Sequence, residues 1–98
     1  MNKYRVSLQG ENFLLSFDGK PEKHGFYTTR FVEANDPKEA ETISINLIRN
    51  DPDLKAAVLN KQGDPPMIYT NEIEELINFK DIEPPGGGYT FYQEDSEK

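Results

Sequence analysis

Between Tyr4 and Phe17 the chain alternates apolar and polar residues in two runs with a glycine between them. Tyr4, Val6 and Leu8 alternate with Lys3, Arg5, Ser7 and Gln9, and Phe13, Leu15 and Phe17 alternate with Asn12 and Ser16. A period of two is that of a strand with one buried face. Gly10-Glu11 separates the runs, and a two-residue loop with Gly first suits a type II′ hairpin. Folding there pairs Leu8 with Phe13, Val6 with Leu15 and Tyr4 with Phe17. All of these apolar side chains then share one face, and a slip of one residue would scatter them. Leu14 is left facing outward.

Asp18-Gly19-Lys20-Pro21 reads as a break, followed by a loop through His24-Gly25. The segment Phe26–Glu33 is rich in aromatic and β-branched residues and reads as a third strand. It carries apolar groups on both faces, so it is expected to be covered on both sides or to face a partner. A helix is expected from Pro37 to about Arg49. Asp36 can accept from the free amides of the first turn, Pro37 suits the first helical position, and Glu39 completes a capping box. Ala40, Ile43, Leu47 and Ile48 form its apolar stripe. Asp51-Pro52 repeats the start signal for a short second helix through Leu54, Val58 and Leu59, which Gly63-Asp64-Pro65-Pro66 ends. Met67–Tyr69 reads as extended. Ile73, Leu76 and Ile77 have helical spacing, but Glu72–Ile77 is read as a strand. The Pro84–Gly88 tract reads as a connector into a strand at Tyr89–Tyr92.

The expected fold is therefore α+β: an antiparallel sheet of about four to five strands, made of an N-terminal β-meander and a C-terminal hairpin, with one main helix packed on one face. Residues 1–98 are expected to form a single domain, frayed over 93–98.

Charge is unevenly placed. Residues 1–63 hold nine basic and nine acidic side chains, while residues 64–98 hold two basic and nine acidic, so the net −7 sits entirely in the last third. An acidic chain with no basic stripe is a poor match for nucleic acid, and no nucleic-acid partner is expected. The chain has no Cys, which excludes disulfides and thiolate metal sites. No apolar run is long enough to span a membrane. The opening MNKYRVSL lacks the apolar core of a signal peptide, so a cytoplasmic location is expected.

Catalytic signatures are missing. His24 is the single histidine, is expected in an exposed loop, and has no sequence-placed nucleophile beside it. Gly86–Gly88 could offer backbone amides to an anion, but neither phosphate-loop nor dinucleotide spacing surrounds it, and a flexible connector is the reading adopted. The carboxylates Glu72, Glu74, Glu75, Asp81, Glu83, Glu94 and Asp95 lack calcium-loop spacing and read as solvated. No catalytic residue, metal ligand or cofactor is expected. Exposed tyrosines with Arg on the opposite parity would suit an interaction surface, and the candidate binding residues are Tyr27, Arg30, Tyr69 and Tyr92.

Two family resemblances follow. The runs YRVSLQGENFLL and GFYTTRFVEANDPKEAE, with DPPMIY and GGGYTFYQE, are similar to those of a family of small bacterial proteins of uncharacterised function. They cover most of the chain, and the resemblance implies a bacterial domain without implying an activity. The strands followed by DPKEAETISINLIRND resemble the HicB-type antitoxin family, which implies a ββ(β)αβ partial ribonuclease-H fold. The chain departs from that family in its shorter first hairpin, in lacking a Pro-Gly-Cys-like segment and in lacking a DNA-binding tail, so no site residue is carried over.

The function expected from these residues is a non-enzymatic protein-interaction or regulatory module. The alternative is a small-molecule binder or small enzyme with a pocket between helix and sheet. A homodimer joined through a sheet edge, suggested by outward Leu14 and the terminal strand, is a further expectation.

Overall fold

The computed structural model describes residues 1–94. Its elements run β1 (Asn2–Phe17), β2 (Lys20–Ala34), α1 (Pro37–Arg49), α2 (Pro52–Ala57), β3 (Met67–Leu76) and β4 (Thr90–Gln93). The α+β class holds: the strands form one four-stranded antiparallel sheet in the order β3-β1-β2-β4, with one main helix and one short helix.

The expected meander is replaced by one long hairpin. Gly10-Glu11 is not a turn: β1 runs straight through it, and its register with β2 shifts by one residue between Gly10 and Phe13. Glu11 and Asn12 on β1 stand against Gly25 alone on β2, the two-against-one count of a β-bulge. A bulge switches side-chain parity just as a two-residue turn does. Tyr4, Val6, Leu8, Phe13 and Leu15 therefore share the buried face in either arrangement. The turn sits instead at Asp18-Gly19, where both residues have positive φ (60° and 82°). That is the type I′ geometry that matches the twist of the flanking strands. Strand β2 begins directly after it, so His24-Gly25 lies inside a strand. His24 is accordingly buried rather than exposed in a loop, with Nδ1 2.8 Å from the Glu22 carbonyl oxygen.

Even-numbered residues of β2 from Phe26 to Ala34 face the same side as the β1 apolar set, and Phe26 and Ala34 are wholly buried. The helices cover this side. Helix α1 begins as its sequence requires: the Asp36 side chain accepts from Glu39 N at 2.8 Å, and Glu39 Oε1 reaches back to accept from Asn35 N. Ala40, Ser44 and Ile48 form its buried stripe, with Ile43 and Leu47 half-buried beside it. Helix α2, capped by Asp51, adds Leu54. Each large apolar side chain buried here contributes about 1.5–3 kcal/mol by leaving water.

Glu72–Leu76 is strand, as expected, and belongs to the single strand β3. The last two strands do not form a C-terminal hairpin with each other: β3 pairs with β1 and β4 pairs with β2, at opposite edges. The chain between them crosses the sheet at one end, where Phe79 packs edge-on against Phe31 at 6.4 Å and lies under Lys3. The expected fraying of residues 93–98 is corrected at its start, since Gln93 lies in β4 and Glu94 N donates to Lys23 O. Residues 95–98 lie outside the described residues.

Where β3 ends, the outer edge of β1 is closed by the 58–66 connection. Leu59 N donates to Leu14 O at 2.9 Å, and Asn60 Oδ1 accepts from Leu14 N at 2.8 Å. Leu14, expected to face outward, is thus on a sealed stretch of edge.

Gly10 lies under the Phe26 ring, and a Cβ there would meet Phe26 Cε2 at 2.3 Å and Phe13 Cε1 at 2.8 Å. Gly10→Ala is therefore expected to destabilise the protein by about 1–3 kcal/mol, read as a lowered midpoint in urea unfolding. Gly63→Ala, at a position with open space around it, should leave the midpoint close to wild type.

Candidate functional site

The helices leave the other side of the sheet uncovered, and the strand registers decide what it displays. Across one row, Tyr69 of β3 opposes Gln9 of β1, Gln9 opposes Tyr27 of β2, and Tyr27 opposes Thr90 of β4. All four point away from the helices, because their neighbours Leu8, Phe26 and Thr28 point toward them. Tyr27 is 50% exposed and Tyr69 38%.

Tyr92 joins this face through a glycine. It opposes Gly25, and a Cβ on Gly25 would collide with the Tyr92 ring at 2.2 Å. With no side chain in the way, the ring lies across the strand and stacks on Tyr27, with centroids 5.3 Å apart and planes 32° apart. Offset aromatic pairs of this kind contribute about 0.5–1.5 kcal/mol beyond their area. The Tyr92 hydroxyl accepts from Gln9 Nε2 at 2.8 Å, while Gln9 Oε1 accepts from Asn71 Nδ2 at 3.3 Å. One carboxamide therefore ties β4, β1 and β3 together beneath the tyrosines.

The charge on the face is acidic. Glu11, Glu33, Glu72 and Glu74 outnumber Lys3, Arg5 and Lys23 on the strand positions of this parity. Arg5 is engaged, its Nε and Nη2 both donating to Glu74 Oε1 at 3.0 and 2.6 Å. Partial desolvation and the Glu11 carboxylate raise the Tyr69 hydroxyl above its ordinary pKa. A trough of about 690 Å³ runs between Ser7, Asn71, Tyr27, Thr29 and Phe31 and is walled at one edge by Gly86–Gly88.

Three of the four residues singled out from sequence, Tyr27, Tyr69 and Tyr92, thus share this face. Arg30 does not. Its parity is opposite to that of Tyr27, as read from the sequence, but that parity is the helix-covered side, and Arg30 is only 4% exposed. It is therefore not part of an exposed patch with the tyrosines. Its Nη1 donates to Thr28 Oγ1 and to Thr29 O, and its guanidinium lies 5.2 Å from the centre of the Tyr89 ring. Thr28 Oγ1 in turn donates to Gly88 O at 2.6 Å, and Phe31 N donates to Pro85 O at 2.9 Å. The glycine tract is thereby laced along the β2 edge. Gly25 and Gln9 were not marked from sequence. Gly25, next to an aromatic strand segment, was the available signal, since a glycine within a strand marks a close approach.

Among the described residues no group of three or more His, Cys, Asp or Glu side chains is placed to hold a metal ion. No helix among them is long and apolar enough to cross a membrane. No protein-family model, curated protein or solved structure matches the chain.

Tyr89 links the sheet to the helices. Its hydroxyl donates to Asp51 Oδ2 at 2.6 Å. Burial, then the hydrogen bond to Asp51, push its pKa from 10.0 up to about 12. The same hydrogen bond holds the Asp51 carboxyl below its usual range, with Arg30 adding a smaller pull. A raised folded pKa gives stability that is complete below the unfolded value and lost above it. The thermal midpoint should therefore fall as pH rises from 10.0 toward 12, and the fall should be shallower in Tyr89→Phe. Equal slopes in the two proteins would break the link.

Proposed function

We propose that the protein is a non-enzymatic interaction module that binds a basic, Lys- or Arg-bearing segment of a partner protein on the uncovered sheet face. The single observation that carries this reading is the Tyr27–Tyr92 stack on the uncovered face, with exposed Tyr69 in the same row and Glu11, Glu72 and Glu74 on the same side of the sheet. Tyrosines supply large contact area at low entropic cost and are enriched at interfaces. Their ring faces attract cations, guanidinium above all. Glu11, Glu72 and Glu74 on the same face would steer a basic segment and repel an acidic one.

Charge complementarity also favours a different partner over a second copy of this chain. Two copies meeting face to face would oppose the same carboxylates. At the β3 edge Glu72, Glu74 and Glu75 discourage pairing with another strand, and β4 is only four residues long; charged and short edge strands are how sheets avoid self-association. The acidity likewise argues against nucleic acid as the occupant.

Titration of the isotope-labelled chain with an Arg- and Lys-rich peptide tests the reading. Amide shifts are expected on Gln9, Tyr27, Tyr69 and their row, with little change on the helices. Tyr27→Ala and Tyr69→Ala should each weaken binding about tenfold, or about 1.4 kcal/mol; the unfolding midpoint should stay near wild type in Tyr69→Ala and fall in Tyr27→Ala by the lost stack on Tyr92, about 0.5–1.5 kcal/mol. An acidic peptide of equal length should not bind. Shifts spread over every acidic surface, or binding indifferent to both tyrosine substitutions, would sink the proposal.

A further inference from the structure

A second cavity, of about 560 Å³, lies on the helix side of the glycine tract, between the C-terminal end of α1, the start of α2 and Gly86–Gly88. Its volume is that of a small-molecule site. Arg30 lines it. Both hydrogen bonds that the guanidinium donates leave from Nη1, and no carboxylate of the described residues lies within ion-pair distance of it. The buried side-chain polar atoms without a partner are Ser44 Oγ and Thr70 Oγ1. Nε and Nη2 of Arg30 are not among those sealed atoms, and the Arg30 side chain lines the cavity beside Asp51. A buried guanidinium with no carboxylate within ion-pair distance can take an incoming carboxylate two-pronged.

The rest of the lining narrows the ligand. Asp51 faces the same cavity and accepts from Tyr89 Oη and Asp53 N, which leaves lone pairs on both of its oxygens. With Asp51 charged, a dianion would meet repulsion, whereas a zwitterion would meet both signs in place. Ile43, Leu47 and Pro52 supply an apolar wall. The Gly87 and Gly88 amides donate to no backbone carbonyl, and are available to a carboxylate.

We propose that this cavity binds a free α-amino acid with an apolar side chain, its carboxylate on Arg30 and its ammonium on Asp51. The site is separate from the tyrosine face and stands or falls independently of it.

The test is titration of the isotope-labelled full chain with L-leucine, N-acetyl-L-leucine, L-leucinamide and inorganic phosphate. L-leucine is expected to give saturable shifts at the Gly87, Gly88 and Asp51 amides. Each blocked form should bind at least about tenfold more weakly, as loss of one charged contact implies. A Cβ at Gly87 meets nothing within 4 Å, so Gly87→Asp can fold normally while placing a carboxylate at the rim, and it should abolish the response to L-leucine. Asp51→Asn keeps a good helix cap and should erase the preference for L-leucine over N-acetyl-L-leucine. No saturable response to L-leucine, equal affinity for the blocked forms, tighter binding of phosphate, or unchanged leucine binding in Gly87→Asp would each overturn the proposal.

Discussion

The bulge at Gly10–Phe13 is the constraint on which the rest of the structure turns. It lets β1 change parity without changing direction, so a sixteen-residue strand keeps Tyr4, Val6, Leu8, Phe13 and Leu15 on one side. Gly10 can pass beneath the Phe26 ring only because it has no Cβ. Asn12, the extra residue, has φ 63°, a conformation that asparagine tolerates better than most side chains. Its polar groups then become an anchor. Its side chain accepts from Lys23 Nζ and donates to Asp64 Oδ1, its carbonyl accepts from Asn60 Nδ2, and its amide donates to Glu94 Oε2. The 58–66 connection and the end of β4 are both tied down at the one place where β1 departs from regular pairing. Each of these bonds is partly exposed and modest alone. Together they fix the ends of segments that carry few apolar groups of their own.

The same bulge marks the limit of what the alternation could say. A fold-back at Gly10-Glu11 and a bulge there give the same inward set, so periodicity could not separate them. The distinction came from elsewhere. Asp18-Gly19 supplies a turn with two positive-φ residues, and Phe26 needs a neighbour without a side chain. Helix α1 was legible to its ends because its signals are local: Asp36, Pro37 and Glu39 act within one turn. Strand order was not legible, because nothing in Met67–Leu76 or Thr90–Gln93 records which side of the hairpin it will join. For the candidate site, the sequence marked Tyr27, Tyr69 and Tyr92 but could not reveal that they share a face, which depends on that order. It also set Arg30 on the parity opposite to Tyr27. Only the helix packing decides that this parity is the covered one.

Acidity has a more definite meaning once the fold is in place. The last third carries the net charge, and β3 brings Glu72 and Glu74 to the edge of the uncovered face. Arg5 engages both, Glu74 closely at 2.6 Å and Glu72 at 3.8 Å, in exposed pairs worth little to stability. What these contacts do accomplish is to tie the Arg5 side chain to β3 through Glu74 and to its own strand through Ser7. Of the other charges on this face, Lys3 lies over the Phe79 ring, and Lys23 is held by Asp64 beside the bulge.

Arg30 poses the sharper energetic question. A buried charge is costly unless paired, and its partial compensation here comes from Thr28 Oγ1, the Thr29 carbonyl and the Tyr89 ring. An apolar side chain of similar length would fill the same space without the desolvation cost, so the fold itself gains little from the charge. The guanidinium does determine how Thr28 is oriented, and through Thr28 Oγ1 it bears on Gly88 O. The tract so held is the wall between the tyrosine trough and the helix-side cavity. Three glycines make that wall thin, and Gly86 and Gly88 sit at φ values of 82° and 84° that other residues adopt only under strain. A thin wall secured by one buried cation places both cavities within reach of the same backbone. What the structure shows Arg30 to do is brace that wall, through Thr28 and the Tyr89 ring.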